Sequence, residues 1–244
     1  MTAIQTFDLT KRYGSKTAVD RLNLSVERGE LFALLGVNGA GKTTTIKMLT
    51  CLVRPTSGDA VLLGDSVITA SAKVKDKTNV SPQETAVARN LTVKENLEFI
   101  AEVYGSDRAA ARTEADEMLA AFGLTEVAGD RAKTLSGGMQ RRLSIAMALI
   151  SDPEILFLDE PTLGLDVLAR RELWAAIEKL KGKVTIVLTT HYMEEAEALA
   201  DRIGIMSKGE LKAIGTAAEL ISSTGARSLE DAFVALATGT EVGA

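Results

Sequence analysis

An uninterrupted apolar run, Leu31–Leu35, stops at a glycine-rich octet, Gly36-Val37-Asn38-Gly39-Ala40-Gly41-Lys42-Thr43, and the segment Thr44–Leu52 then reads as a helix. A strand that is apolar at every position is one covered on both faces, as in the parallel sheet of an α/β domain. The octet fits the pattern G-x-x-x-x-G-K-[ST] in full. Its glycines let consecutive backbone N–H groups turn inward around the β- and γ-phosphates of a nucleotide. The helix that follows adds the partial positive charge of its N-terminus. Lys42 then places a full charge between the outer phosphates, and the Thr43 hydroxyl is set to ligate Mg²⁺. The expected nucleotide contacts are therefore Gly36, Asn38, Gly39, Ala40, Gly41, Lys42, Thr43 and Thr44.

Several function classes fall away on composition. The 244 residues, 46% of them apolar, suffice for one large domain or two small ones. A formal net charge of −5 supplies no basic field to recruit nucleic acid or anionic lipid. One cysteine, Cys51, leaves no intrachain disulfide framework and suits a reducing cytosol. The longest apolar runs, Ile145–Ile150 and Ala232–Ala237, fall far short of the ~20 residues needed to cross a bilayer. The first residues, Met1-Thr2-Ala3-Ile4-Gln5, lack the charged start and apolar stretch of a secretory signal. The expectation is a soluble cytoplasmic protein that reaches a membrane only through a partner.

Periodicity sketches the remaining organisation. Leu22, Leu24 and Val26 alternate with Asn23, Ser25 and Glu27, the pattern of a half-buried strand in an antiparallel sheet, and Ala60–Leu63 reads as a second piece of it. From about Glu84 the pattern is read as helical: Thr92-Val93-Lys94-Glu95 has the form of a capping box, and Val93, Leu97, Ile100 and Tyr104 form a stripe ending at Gly105. A second helix stops at Gly123. A third begins near Ser136, with Met139, Leu143, Ala146, Met147 and Ile150 on one face, and ends before Pro153. Ile155–Leu158 and Val184–Thr190 read as strands flanking a helix around Val167–Leu180. One amphipathic helix (Leu229, Phe233, Leu236) is expected in the tail. Residues 1–83 and 151–215 are thus expected to form an α/β core with an antiparallel β subdomain, 84–150 a helical subdomain, and 216–244 a C-terminal tail.

Two further clusters carry chemistry. Ile155-Leu156-Phe157-Leu158-Asp159-Glu160 is an apolar strand ending in two acids, at the end of the sheet where such folds put ligands. Asp159 is expected to hold Mg²⁺, directly or through water, and Glu160 to polarise the attacking water. Leu135-Ser136-Gly137-Gly138-Met139 opens a helix with a capping serine and two glycines. Read alone, this is either an ordinary N-cap or a second anion site.

The segment Leu135–Met139 resembles the signature motif of the ATP-binding cassette (ABC) family, and it precedes Asp159 in the order that family keeps. Tyr13 resembles the aromatic A-loop residue that stacks on adenine. Gln83 resembles the Q-loop glutamine near Mg²⁺ and the attacking water. Asp166, in Leu163-Gly164-Leu165-Asp166, resembles the D-loop aspartate, and His191 the switch histidine that contacts the γ-phosphate. The resemblance spans roughly residues 7–207. It implies a P-loop (RecA-like) α/β core, ATP and Mg²⁺ as ligands, and Glu160, His191 and Gln83 as catalytic residues with Thr43, Gln83 and Asp159 around the metal. It also implies two cassettes stacked head to tail, either two copies of this chain or this chain with a similar one. Each ATP then lies between the phosphate loop of one and Ser136–Gly138 of the other. Met139 departs from the glutamine commonest at the fifth signature position, and Val37 from a common proline; neither is a donor assigned to phosphate.

The resemblance further implies the ATP-hydrolysing subunit of a transporter whose membrane-spanning part is a separate permease, at the cytoplasmic face of the inner (plasma) membrane. Ser81–Ala86 with Asn90-Leu91-Thr92 resemble cassettes paired with ABC-2-type exporter permeases. A soluble ABC ATPase acting on a macromolecular assembly is the alternative. Lys42 and Ser136 stand too close in sequence for the long coiled coil of cassettes that span DNA, and no sustained heptads separate them. Stacking on Tyr13 offers few base-specific hydrogen bonds, so GTP is expected to be turned over at a rate comparable with ATP. Steady-state phosphate release with each nucleotide checks this, and strict exclusion of GTP would contradict it.

Overall fold

In the computed structural model, residues 1–239 are described, and 240–244, the end of the expected tail, lie outside the described residues. The N-terminal region builds an antiparallel sheet. Thr2–Tyr13 (β1) pairs with Lys16–Leu22 (β2), Ser25–Glu27 (β3) and Ser57–Leu62 (β5), and Asp65–Ser66 (β6) pairs with β5. The predicted alternation holds, since Leu22, Leu24 and Val26 are buried and Asn23 and Glu27 are exposed. The run is nevertheless two strands, not one. Asn23 turns aside to donate to Asp8 Oδ1 (2.8 Å) and the Arg21 carbonyl (3.0 Å), and Arg21 has φ +44°.

The second sheet is parallel apart from one edge. Its order is Glu210–Gly215 (β11), Arg202–Ser207 (β10), Leu31–Leu35 (β4), Thr185–Thr190 (β9), Ile155–Asp159 (β8) and Thr78–Ser81 (β7), with only the β10–β11 pair antiparallel. β4, β8 and β9 are buried at every position, as an apolar run without alternation requires. The two sides of these strands still go to different cores. Leu156, Leu158, Ile186 and Leu188 pack among helices, whereas Phe32, Leu34, Phe157 and Val187 pack against the antiparallel sheet. Burying Phe32 or Phe157 completely contributes about 1.5–3 kcal/mol each.

Helices cover the sheet. Lys42–Leu49 (α1) starts two residues earlier than its sequence pattern indicates and stops short of Cys51, whose φ of +56° ends it. Ser71–Lys77 (α2) leads into β7. Val93–Val103 (α3), Arg108–Ala121 (α4) and Gly137–Leu149 (α5) form the helical region, followed by Val167–Glu178 (α6) and Met193–Leu199 (α7). Two helices close the described residues, Ala217–Thr224 (α8) and Leu229–Thr238 (α9), where one was expected. The reading of helix from about Glu84 is also corrected, because residues 84–92 carry no helix and α3 begins only after the capping box of Thr92 and Glu95.

That irregular segment is tied down by Asn96, which is fully buried in α3. Its Oδ1 accepts from the Ala88 amide (2.7 Å), and its Nδ2 donates to the carbonyls of Ala88 (3.2 Å) and Thr92 (2.8 Å). Asn96→Ala removes all three bonds and is expected to lower stability by about 2 kcal/mol, read as a fall in the urea midpoint at unchanged slope.

Candidate nucleotide site

Three neighbouring parallel strands end side by side. β9 lies between β4 and β8, so the residues that follow each strand meet at the carboxyl edge of the sheet. Gly36–Lys42 follow β4, Glu160 follows β8, and His191 follows β9. Between them opens a cleft of about 460 Å³.

The loop after β4 is shaped by what its glycines avoid. A Cβ on Gly36 would lie 2.4 Å from the Met206 carbonyl of β10. Gly41 is left-handed (φ +109°), and a Cβ there would meet the Ala18 carbonyl at 2.5 Å. Gly41 is also the N-cap of α1, so that cap offers no side-chain oxygen, and no acid sits in the helix's first turn. The first N–H groups of α1 are thereby left for an anionic ligand. Of the expected contacts, Tyr13, Asn38, Gly39, Gly41, Lys42, Thr43 and Thr44 line the cleft, together with Gln83, Glu160 and His191. Gly36 and Ala40 shape it from behind through their carbonyls, which accept from Lys42 Nζ (2.7 Å) and the Gly209 amide (2.9 Å).

The charged groups are close enough to act as one unit. Lys42 is 4% exposed, donates to the Gly36 and Val37 carbonyls and pairs with Glu160 Oε1 at 3.2 Å. The other Glu160 oxygen lies 3.1 Å from His191 Nδ1. Asp159 sits behind, where its Oδ1 accepts from Thr43 Oγ1 (3.1 Å) and Thr189 Oγ1 (2.6 Å). The Glu160 backbone is left-handed, with φ +47°. Thr43 and Asp159 supply hard oxygen donors in contact with each other, and Gln83 adds an amide on the same cleft. Such a set is too small to enclose a cation, and suits a Mg²⁺ that completes its shell with phosphate oxygens and water.

The motif Leu135–Met139 lies elsewhere. None of its residues lines this cleft; Leu135 and Gly138 are buried, and Ser136 and Gly137 are exposed. Ser136 caps α5 by accepting from the Met139 amide at 3.3 Å. Gly138 has a reason internal to the fold, since a Cβ on it would meet Ala169 of α6 at 2.8 Å. Asp166 caps α6, its Oδ1 accepting from the amides of Leu168 and Ala169, both at 2.9 Å.

The sequence model of the ABC transporter family matches residues 19–163 of this arrangement. The chain belongs to the ABC transporter family. It is an ATP-binding subunit of that family, the component that hydrolyses ATP. The linearmycin resistance ATP-binding protein LnrL of Bacillus subtilis is 44% identical over 91% of this chain and 72% of its own length. The daunorubicin resistance ATP-binding protein DrrA3 of Streptomyces coeruleorubidus is 42% identical over 92% of this chain and 71% of its own. The probable multidrug ABC transporter ATP-binding protein YbhF of Escherichia coli matches at 44% over 90% of this chain but 38% of its own length. A solved ATP-binding subunit of an ABC transporter superposes with TM-score 0.84 at 31% identity, covering 96% of this chain and 99% of that one.

Sequence reasoning on this ABC ATPase passes over three residues of the site. Thr189 fixes both acids, through Asp159 Oδ1 and the Glu160 amide (3.1 Å); its only signal is a hydroxyl ending an apolar strand. Arg141 of α5 is buried against the Glu160 backbone. Glu195, in the helix α7 that follows His191 in the chain, is fully buried, and one of its oxygens accepts from Trp174 Nε1 (3.1 Å). Its other oxygen has no hydrogen-bond partner.

Burial pushes the Glu195 carboxyl above its ordinary value of 4.5, against weaker pulls from Thr190, Thr162, Trp174 and Arg170. The folded state therefore keeps this proton at a pH where the unfolded chain has released it, and stability falls as pH rises above the unfolded value. Glu195→Gln, which keeps the shape and removes the titration, is expected to gain thermal stability relative to the parent as pH rises above the ordinary carboxylate range. Parallel melting-temperature curves for the two proteins through that rise in pH would contradict the assignment.

Proposed function

We propose that this ABC ATPase drives an exporter, and that its nucleotide is hydrolysed between two cassettes. In this reading Lys42 and the amides of the Gly36–Thr43 loop hold the triphosphate, and Tyr13 stacks on the adenine. Thr43, Asp159 and Gln83 hold Mg²⁺, which spreads the charge of the outer phosphates when bound. Glu160 accepts a proton from the attacking water, and His191 steadies Glu160 and the γ-phosphate. The Lys42–Glu160 pair is the resting partner of both groups; phosphate entering the loop takes over Lys42, and Glu160 is left hydrogen-bonded to His191 and facing the cleft.

One observation carries the two-cassette reading. The cleft that gathers Lys42, Glu160 and His191 is not lined by Ser136, Gly137 or Gly138, while the exposed Ser136 and Gly137 begin a helix of their own. A second copy of the chain, or a similar chain, turned head to tail brings that helix N-terminus to the γ-phosphate, with Asp166 at the seam.

Export is supported by relatives named for drug resistance, LnrL and DrrA3. An ABC-2-type permease would meet the chain beside Gln83. Asn79, Val80, Pro82, Ala86, Ile100 and Tyr104 line a groove there, Leu52 lines an adjoining one that shares Tyr104, and Phe99 and Val103 are further exposed apolar side chains of α3. No helix among the described residues is long and apolar enough to cross a membrane; in this reading the chain attaches at the cytoplasmic face through that groove. The docking groove then lies where the α/β core meets the helical region of 84–150.

Glu160→Gln tests the reading. It is expected to bind ATP, to lose about 10²–10⁴-fold in hydrolysis, and to elute as a dimer from a gel-filtration column run with ATP and Mg²⁺. Monomer at saturating ATP, or turnover near that of the parent, would overturn it.

A further inference from the structure

The guanidinium of Arg141 is a buried cation whose charge is opposed by the acids of Asp159, Glu195 and Glu160 without direct contact. Arg141 is 3% exposed, and among the described residues no carboxylate forms an ion pair with it. Every hydrogen bond it makes goes to a backbone carbonyl. Nε donates to Pro161 (2.6 Å), Nη2 donates to Glu160 (2.7 Å) and Asp159 (3.3 Å), and Nη1 donates to Pro82. Burying a charge is costly unless its donors are satisfied, and these four carbonyls satisfy the guanidinium where no carboxylate touches it.

The identity of the acceptors matters more than their number. Asp159, Glu160 and Pro161 present three consecutive carbonyls to one planar group, and the residue in the middle is the one with φ +47°. A non-glycine residue keeps a left-handed backbone only where its surroundings over-determine it. Fixing the carbonyls on both sides of Glu160 does that. The fourth carbonyl belongs to Pro82, immediately before Gln83, so the same side chain ties the second loop of the cleft to the first. A lysine ammonium is a point charge on a flexible stem and cannot reproduce this flat fork.

We infer that Arg141 is a positioning residue for ATP hydrolysis: from α5 it clamps the strained peptide of Glu160 and the peptide preceding Gln83 into one frame, and so sets the aim of the Glu160 carboxylate at the attacking water. This rests on the reading of Glu160 as the general base. It also gives α5 a second task, since the helix that begins at Ser136 holds its own chain's Glu160 one turn further on.

The test compares Arg141→Lys and Arg141→Gln with the parent by steady-state hydrolysis, equilibrium binding of a fluorescent ATP analogue and thermal melting. Misplacing a reacting group by about 1 Å costs on the order of 100-fold, so kcat is expected to fall about 10- to 100-fold in both variants while nucleotide affinity stays within about twofold. The decisive readout is Arg141→Lys in a Glu160→Gln background. If Arg141 acts through Glu160, the residual rate of Glu160→Gln drops no further, whereas a general structural role lowers it again. Where Arg141→Gln fails to fold, Arg141→Lys carries the comparison. Parent-like kcat, a parallel loss of kcat and affinity, or a further fall in the Glu160→Gln background would each overturn the inference. Parent-like turnover of Glu160→Gln itself would remove the base assignment and the inference with it, and so tells the two failures apart.

Discussion

β9 sits between β4 and β8, and the chemistry of the molecule depends on that order. Parallel neighbours end at the same edge of a sheet, so a phosphate loop, two acids and a histidine that lie far apart in the chain arrive within hydrogen-bond reach. The contacts there are few and short. Lys42 and His191 hold the two oxygens of Glu160, while Thr43 and Thr189 share one oxygen of Asp159.

The cleft shows why a cassette needs more than its own loop. Lys42, Thr43, Glu160 and His191 line it, whereas Gly137 at the N-terminus of α5 lines a neighbouring hollow that shares Gln83 and Leu163 with it. Gly138 ties that helix to α6 through Ala169, and Asp166 caps α6 at the same end. The signature segment and Asp166 are thus parts of one packed unit, and a neighbour that touches one of them meets the other.

Much of the core could be read from the residues, because its strands are apolar without interruption and its helices carry explicit starts. Thr92 and Glu95 form the capping box their spacing announces, and Gly123, with φ +63°, follows the end of α4. The phosphate-loop residues, Gln83, Glu160 and His191 all line one cleft. What escaped had weaker local signals. β1 has register shifts against each of its partners and a left-handed Asp8, which break its alternation. Residues 84–92 have alanines enough for a helix, but Asn96 holds their backbone in another path. The capping box of α8, Thr216 with Glu219, opens a helix of only eight residues, too short to show a clear apolar period. Arg141 and Glu195 could not be found by pattern at all. On a helix surface they look like ordinary charges, and only the tertiary fold shows them buried.

Trp174 is the chain's one tryptophan; its indole N–H is committed to Glu195 of α7, and Arg170 lies over both its ring and that of Tyr192, the neighbour of His191. Indole emission responds to the charge and polarity of what the ring touches. The molecule therefore contains its own optical reporter, unlabelled and single, placed where any rearrangement of the histidine turn against α6 will change its brightness or colour.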